Sequence, residues 1–157
     1  WTEPRIIAAQ LHSKLGRFDK AKPQIDTCLM LEPYRKEHWI SLYSYYRDIP
    51  DYPQAIGTIE HMLTLFPTDP DVKTDQMIIM MRAGQPQVAD SLATLLLAKD
   101  STLAYPYIIK GMIAESRRDT AAAIESYNAF FRLGKYLPDT GFVRSRLNSL
   151  APPSATP

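Results

Sequence analysis

Few residues in this chain could do chemistry, and they are scattered. His12, His38 and His61 are its only histidines and Cys28 its only cysteine. A helical metal site of the usual kind needs two histidines a turn apart, and none of the three has a second His at that spacing, so no metal is expected. As lone residues the histidines read as surface or packing groups. Cys28 sits beside Leu29 on an apolar stretch, which predicts a buried structural thiol rather than a nucleophile. With a single cysteine no internal disulfide can form. There is no Gly-rich phosphate loop, no Gly-x-Ser-x-Gly elbow and no His-Glu-x-x-His. Asp69 and Asp71 stand where a helix should start, and there carboxylates favour the macrodipole. The rings of Trp39, Tyr43, Tyr45, Tyr46 and Tyr52 could stack on a base or a sugar, but most fall on packing positions; Tyr45 is the one ring with recognition in prospect. Met77–Met81 (MIIMM) reads as core rather than as a cofactor box. The chain is therefore expected to be no enzyme and to carry no cofactor.

Composition narrows the classes further. At 157 residues, one domain is the prior, and a core can form without disulfide or metal staples. A formal net charge of +1 gives no strong field toward nucleic acid or anionic lipid. No apolar run approaches the ~20 residues of a membrane span. The near-absence of cysteine fits the cytoplasm and a bacterial periplasm equally, so the compartment stays open. A start at Trp1, with no initiator Met, is expected of a processed protein or an excised fragment. Residues 151–157 are Pro-rich and read as a disordered tail.

The elements that must carry these residues are set by a repeat. Shifted by 34 residues, Ala21, Ala55, Ala89 and Ala123 superpose, as do Leu29, Leu63, Leu97 and Phe131. Pro33 and Pro67 close the first two units, Phe18 and Tyr52 follow their turns, and Gly16 and Gly84 mark equivalent turns. Within the second unit Trp39, Leu42, Tyr43 and Tyr46 recur at helical steps, and Ala55, Ile59, Met62 and Leu63 make a second apolar face. Pro67 ends that helix, because proline lacks an N–H and clashes with the preceding turn. The pattern predicts helices over 3–15, 19–31, 36–48, 52–65, 70–82, 86–98, 104–117 and 120–133. A last helix is expected over about 139–150, with Phe142, Val143, Leu147 and Leu150 on its apolar stripe, as the polar-backed cap a stack requires.

These residues resemble the tetratricopeptide repeat family. Unit two carries Trp39, Leu42, Tyr46, Tyr52, Ala55 and Pro67; unit one Gly16, Phe18, Ala21 and Pro33; unit three Gly84 and Ala89; unit four Gly111, Ala123, Tyr127 and Phe130. The resemblance implies a single all-α domain over 2–150, a right-handed α-solenoid of antiparallel hairpins. Its repeats would span about 2–35, 36–69, 70–103 and 104–137. The family's small first-helix residue is matched by Ala9 and Gly111 but replaced by Tyr43 and Met77, which predicts splayed hairpins there.

The resemblance also places the first helices along a concave surface. Its lining is expected from Glu3, Ile6, Gln10 and Lys14; then Glu37, Ile40, Ser44, Arg47 and Asp48; then Asp71, Thr74, Asp75, Ile78, Met81 and Arg82; then Tyr105, Ile108, Ile109, Met112 and Glu115. The partner-binding groove is expected to use Ile40, Ser44, Arg47, Thr74, Ile78, Met81, Arg82, Tyr105, Ile108, Met112 and Glu115. The cationic clamp by which some family members hold a chaperone's terminal carboxylate would fall on Ile6, Gln10, Ser41, Thr74 and Asp75, so that activity is not expected. Apolar residues rimmed by charge suit an extended peptide or an amphipathic helix. The implied function is a non-catalytic protein-interaction scaffold or adaptor. The alternative is a docking or oligomerisation domain of a larger enzyme or envelope complex; an RNA-binding helical repeat ranks below both, for want of a Lys/Arg stripe. No cap precedes unit one, so Ile7, Leu11 and Leu15 are expected either to be covered by sequence outside this fragment or to pair with another copy.

Overall fold

The computed structural model describes residues 1–134 and 137–150; the tail expected at 151–157 lies outside the described residues. Those residues form nine α-helices and no strands: α1 (Thr2–Lys14), α2 (Phe18–Leu31), α3 (Lys36–Asp48), α4 (Tyr52–Leu65), α5 (Pro70–Arg82), α6 (Pro86–Lys99), α7 (Tyr105–Ser116), α8 (Thr120–Leu133) and α9 (Thr140–Leu150). None is long and apolar enough to cross a membrane.

The starts and stops follow local chemistry. Asp51, Asp69 and Asp119 accept hydrogen bonds from the first free N–H groups of α4, α5 and α8, which satisfies donors the helix cannot pair itself. Proline opens α5 and α6 and stands second in α4 and α7, where its missing N–H is no loss. Three of the four turns inside the hairpins share one conformation. Gly16 (φ 69), Gly84 (φ 73) and Arg118 (φ 61) are left-handed, and Pro50 has φ 22. After the turn residue, the N–H of Arg17, Asp51 and Asp119 reaches back to the carbonyl of His12, Tyr46 and Ala114 at 2.9 Å. This is the closure that uses the last carbonyls of a helix.

The described residues fall into two compact units, Trp1–Ala83 and those from Gly84 onward. In the first, α1 pairs with α2 and α3 with α4, α3 also packs on α1 and α2, and α5 packs on α4. Ile6, Ala9, Ile25, Cys28 and Leu42 form one cluster; Tyr43, Ala55, Ile59, Met62, Val72 and Ile79 form another. In the second unit α7 pairs with α8, α6 packs on α7, and α9 packs on α8. Its core joins Ala104, Ile108, Ala114, Ala123, Tyr127, Phe130 and Val143. The four register alanines, Ala21, Ala55, Ala89 and Ala123, are all fully buried, as a short side chain between close helices must be. Gly111 has the same task against α8: a Cβ there would stand 2.4 Å from Tyr127 Cε1.

Candidate protein-binding surface

In the first unit, α1 and α3 lie side by side, and the gap between them opens into a pocket of about 180 Å3. Gln10, Ser13 and Lys14 come from α1, Ile25 from α2, and Ile40, Ser41, Ser44, Arg47 and Asp48 from α3. Of the expected groove residues, Ile40, Ser44 and Arg47 meet here. The i, i+4, i+7 spacing of the three puts them on one face of α3. Ile25 was not expected. It belongs to a second helix, and a reading confined to first helices has no way to find it.

The polar groups are ordered by one another. Gln10 Nε2 donates to Ser41 Oγ (3.0 Å), and Ser41 Oγ donates to the Glu37 carbonyl (2.9 Å). Arg47 Nε donates to Asp48 Oδ1 at 3.0 Å, and its guanidinium stands 5.5 Å from the centre of the Tyr43 ring. Tyr43 in turn donates its hydroxyl to the Asp75 carbonyl of α5 (3.3 Å). Burial pushes the Tyr43 hydroxyl well above the usual phenol range. The Asp75 carboxyl is raised to about 6, chiefly by burial and against the pull of Arg47. Asp75 makes no ion pair among the described residues, so α5 holds a half-buried acid with only a distant counter-charge.

The remaining α5 positions are mixed. Ile78 and Met81 are half-buried and Arg82 is exposed. Thr74 turns its hydroxyl back to the Pro70 carbonyl at 2.9 Å, which leaves its methyl as the outward group.

In the second unit α7 presents Tyr105, Met112 and Glu115. Tyr105 packs toward Phe130, with ring centres 6.4 Å apart. Ile108 is a correction: it is buried, a core residue and not a groove residue. The reason is that α7 is enclosed on several sides. Pro106, Ile109, Gly111, Ile113 and Ala114 are buried with it, so no narrow apolar stripe marks which residue faces out. Glu115 is committed to the cap. It accepts from Arg146 Nε (3.0 Å) and Arg146 Nη2 of α9, and from the Tyr127 hydroxyl (2.5 Å). The Arg146 guanidinium holds its carboxyl below the usual range. Met112, Glu115, Tyr127, Phe142 and Arg146 line a cavity of about 300 Å3 between α7, α8 and α9. Phe142 and Arg146 were expected only as parts of a cap.

The residues weighed for chemistry are elsewhere. Cys28 is buried, donates to the Thr2 carbonyl at 3.6 Å, and has its thiol pushed up by burial. His38 is buried with Nδ1 3.3 Å from the Glu32 carbonyl, and exposed His61 lies 4.4 Å from the Trp39 ring. Tyr45 packs edge-on against Phe18 (5.8 Å) and Tyr46 (5.3 Å), so it joins the first hairpin to the second. No group of three or more His, Cys, Asp or Glu among the described residues could hold a metal ion.

No protein-family model matches the sequence, and no curated protein matches it. Solved structures do match. The chain is similar to a tetratricopeptide repeat protein from Parabacteroides merdae, with a TM-score of 0.78 at 13% identity over 95% of this chain. It spans 57% of the length of that protein. It is similar to TTC0263, a thermophilic tetratricopeptide protein of Thermus thermophilus (TM-score 0.74, 16% identity, 96% of this chain and 81% of that one). It is also similar to YrrB, a tetratricopeptide protein described as having an unusual peptide-binding site (TM-score 0.59, 16% identity, 93% of this chain and 75% of that one). With helices alone among the described residues, a 34-residue rhythm and these likenesses, the chain has the α-solenoid fold of the tetratricopeptide repeat proteins.

Proposed function

We propose that this chain is a non-catalytic protein-interaction scaffold that holds a peptide or an amphipathic segment against its first helices. One observation carries the reading. The pocket between α1 and α3 joins an apolar floor, Ile25 and Ile40, to hydroxyl, amide, cationic and acidic groups at its edge. That combination suits a side chain delivered on a backbone, and it lacks the aligned nucleophile and base that catalysis needs. Ile78 and Met81 on α5 extend the accessible apolar surface of the same unit, and methionine adapts to varied shapes. YrrB's peptide-binding site lends the reading support from a protein of like fold.

The test is a peptide-array screen of the intact chain, followed by titration of the best peptides against folded Ile40→Asp and Ile78→Asp variants. A charge placed in a desolvated contact is expected to weaken binding at least about 30-fold, the scale of a hot-spot loss. Unchanged affinity in both variants, with unchanged circular dichroism, would remove this surface from consideration.

A further inference from the structure

Where first helices meet in the first unit, the repeat uses the same pair of positions twice, with different chemistry. Gln10 of α1 reaches across to α3, and its Nε2 donates to Ser41 Oγ at 3.0 Å. Moving both residues on by 34 reaches Ser44 on α3 and Asp75 on α5. A short hydroxyl stands where the long amide was, and a carboxylate stands where the satisfied hydroxyl was. Ser44 makes no side-chain hydrogen bond among the described residues, and the Asp75 carboxyl makes no ion pair there. Ser41 is buried, whereas Asp75 is half-buried and still open to solvent. The backbone at Asp75 is fixed, because the buried Tyr43 of α3 donates its hydroxyl to the Asp75 carbonyl at 3.3 Å. Arg47 pulls on the Asp75 carboxyl without pairing with it. Its Nε is held by Asp48 at 3.0 Å, and its guanidinium lies over the Tyr43 ring. The second meeting of helices thus lacks the side chain that completes the first.

We propose that a lysine or arginine of the bound segment supplies that side chain, reaching Asp75 from outside as Gln10 reaches Ser41 from within. The seat rests on the peptide-binding reading above and adds the chemistry of what is bound. A cation fits because the carboxylate is already half desolvated, with only a distant counter-charge to offset that cost. A metal ion does not, because no three His, Cys, Asp or Glu among the described residues come together to hold one. A lysine stem or an arginine fork also has the reach that Ser44 lacks. Register sets the spacing within the segment. Ile40 and Asp75 lie on adjacent first helices, and the axes of packed helices stand about 8–10 Å apart. An extended chain rises about 3.3 Å per residue, so the base should stand about three positions from the apolar residue on Ile40. The charged and titratable groups around Asp75 are Tyr43 and Arg47 from α3, and Asp69, Asp71 and Arg82 from α5 and its cap. The α4 helix meets α5 through apolar Ile59 and Met62.

A peptide array probed with the intact chain should return binders enriched in lysine or arginine about two to four positions from an apolar residue. The best basic peptide and its analogue with glutamine in place of the base are then titrated by calorimetry. At about pH 8 the basic peptide should bind at least about 10-fold tighter, the scale of a charge-assisted hydrogen bond. Asp75→Asn should bring that ratio of affinities to about 1. So should Ser44→Gln, which plants on α3 the amide that Gln10 supplies on α1 and fills the seat from within. In the unaltered chain the ratio should shrink between about pH 8 and about pH 5, because a carboxyl raised to about 6 loses its charge there. In Asp75→Asn the ratio should not move with pH. A ratio that survives either substitution in a chain with unchanged circular dichroism overturns the seat. Array binders that need Ile40 but show no enrichment in bases overturn it as well, and both outcomes leave the scaffold reading standing. Binders untouched by Ile40→Asp and Ile78→Asp overturn the scaffold reading and the seat with it.

Discussion

Exchange the residues at two equivalent turns, Arg118→Gly after α7 and Gly84→Ala after α5, and the two stabilities should move in opposite directions. Both positions are left-handed, at φ 61 and φ 73. Holding a side-chain-bearing residue there costs about 1–2 kcal/mol through the clash of Cβ with the following carbonyl. Removing the side chain relieves that strain but also loosens the unfolded chain, which returns about 0.4–1 kcal/mol. The net expectation is about 0.5–1 kcal/mol gained for Arg118→Gly and a like amount lost for Gly84→Ala. Crowding does not confuse the second number, because a Cβ built on Gly84 meets nothing within 4 Å. Nor does the first variant remove packing, since Arg118 is exposed and its backbone N–H bond to the Glu115 carbonyl (2.9 Å) survives. Urea unfolding followed by circular dichroism reads both differences at constant slope. At ~2–4 °C per kcal/mol for a chain of this size, thermal midpoints should part by a few degrees. Equal or reversed signs would show that the turns are not held left-handed in solution.

Three other perturbations probe separate parts of the molecule. Gly57→Ala, at an open and exposed position inside α4, should stabilise by about 0.5–1 kcal/mol, whereas Gly111→Ala drives a methyl into buried Tyr127 and should destabilise by about 1–3 kcal/mol, both measured by urea titration. Asp75 has a folded-state carboxyl raised to about 6 against an unfolded value near 3.9. The folded chain thus binds the extra proton, and stability present below pH ~4 falls as pH rises through 6. Its half-exposure reduces the loss to about 1–2 kcal/mol, and Asp75→Asn should flatten this part of the pH–stability curve. Arg146→Ala leaves Glu115 without its cation, so the Glu115 carboxyl should titrate at higher pH by NMR, and amide exchange in α9 should speed up before exchange in α7 or α8.

The sequence showed the helices almost to the residue, because several independent signals coincide at each boundary. At the start of α5, for example, Asp69 supplies the cap, Pro70 the first helical position and Asp71 the favoured charge. The register alanines fixed which sides of two helices touch. Arg118 was not legible as a left-handed turn, because arginine has no preference for that region; only its place 34 residues after Gly84 points to it. Which first-helix residues share an open face was legible where a helix has one clear apolar side. On α3 the expected Ile40, Ser44 and Arg47 line a common pocket. On α7 buried side chains lie on several sides, and the pattern could not separate buried Ile108 from half-buried Met112. The pairing of Glu115 with the last helix was not legible for a different reason. Its partner Arg146 is 31 residues away, on a helix outside the repeat.

The same physics divides the surface into parts free to bind and parts already engaged. A repeat buries a first helix on both flanks, so only residues pointing away from both neighbours can meet a partner. Charge alone does not identify them. Lys36 is held by Asp69 at 2.7 Å, Lys110 by Asp90 at 2.7 Å, and Glu115 by Arg146, so each of these charges stitches helices together. At the pocket of the first unit there remain Lys14 and Arg47, the latter with Asp48 as its acidic neighbour in contact; outside that lining, on α5, Asp75 accepts the Tyr43 hydroxyl at its carbonyl and makes no ion pair among the described residues. A half-buried carboxylate whose only nearby cation is not in contact gains most from a ligand that brings its own positive charge, since the desolvation of Asp75 is already in place. A peptide that places lysine or arginine near Asp75 and an apolar side chain on Ile40 would satisfy both features at once. Asp75→Asn should then weaken such a peptide while leaving binding of an uncharged analogue unchanged. Equal losses for both peptides would assign Asp75 to the scaffold rather than to recognition.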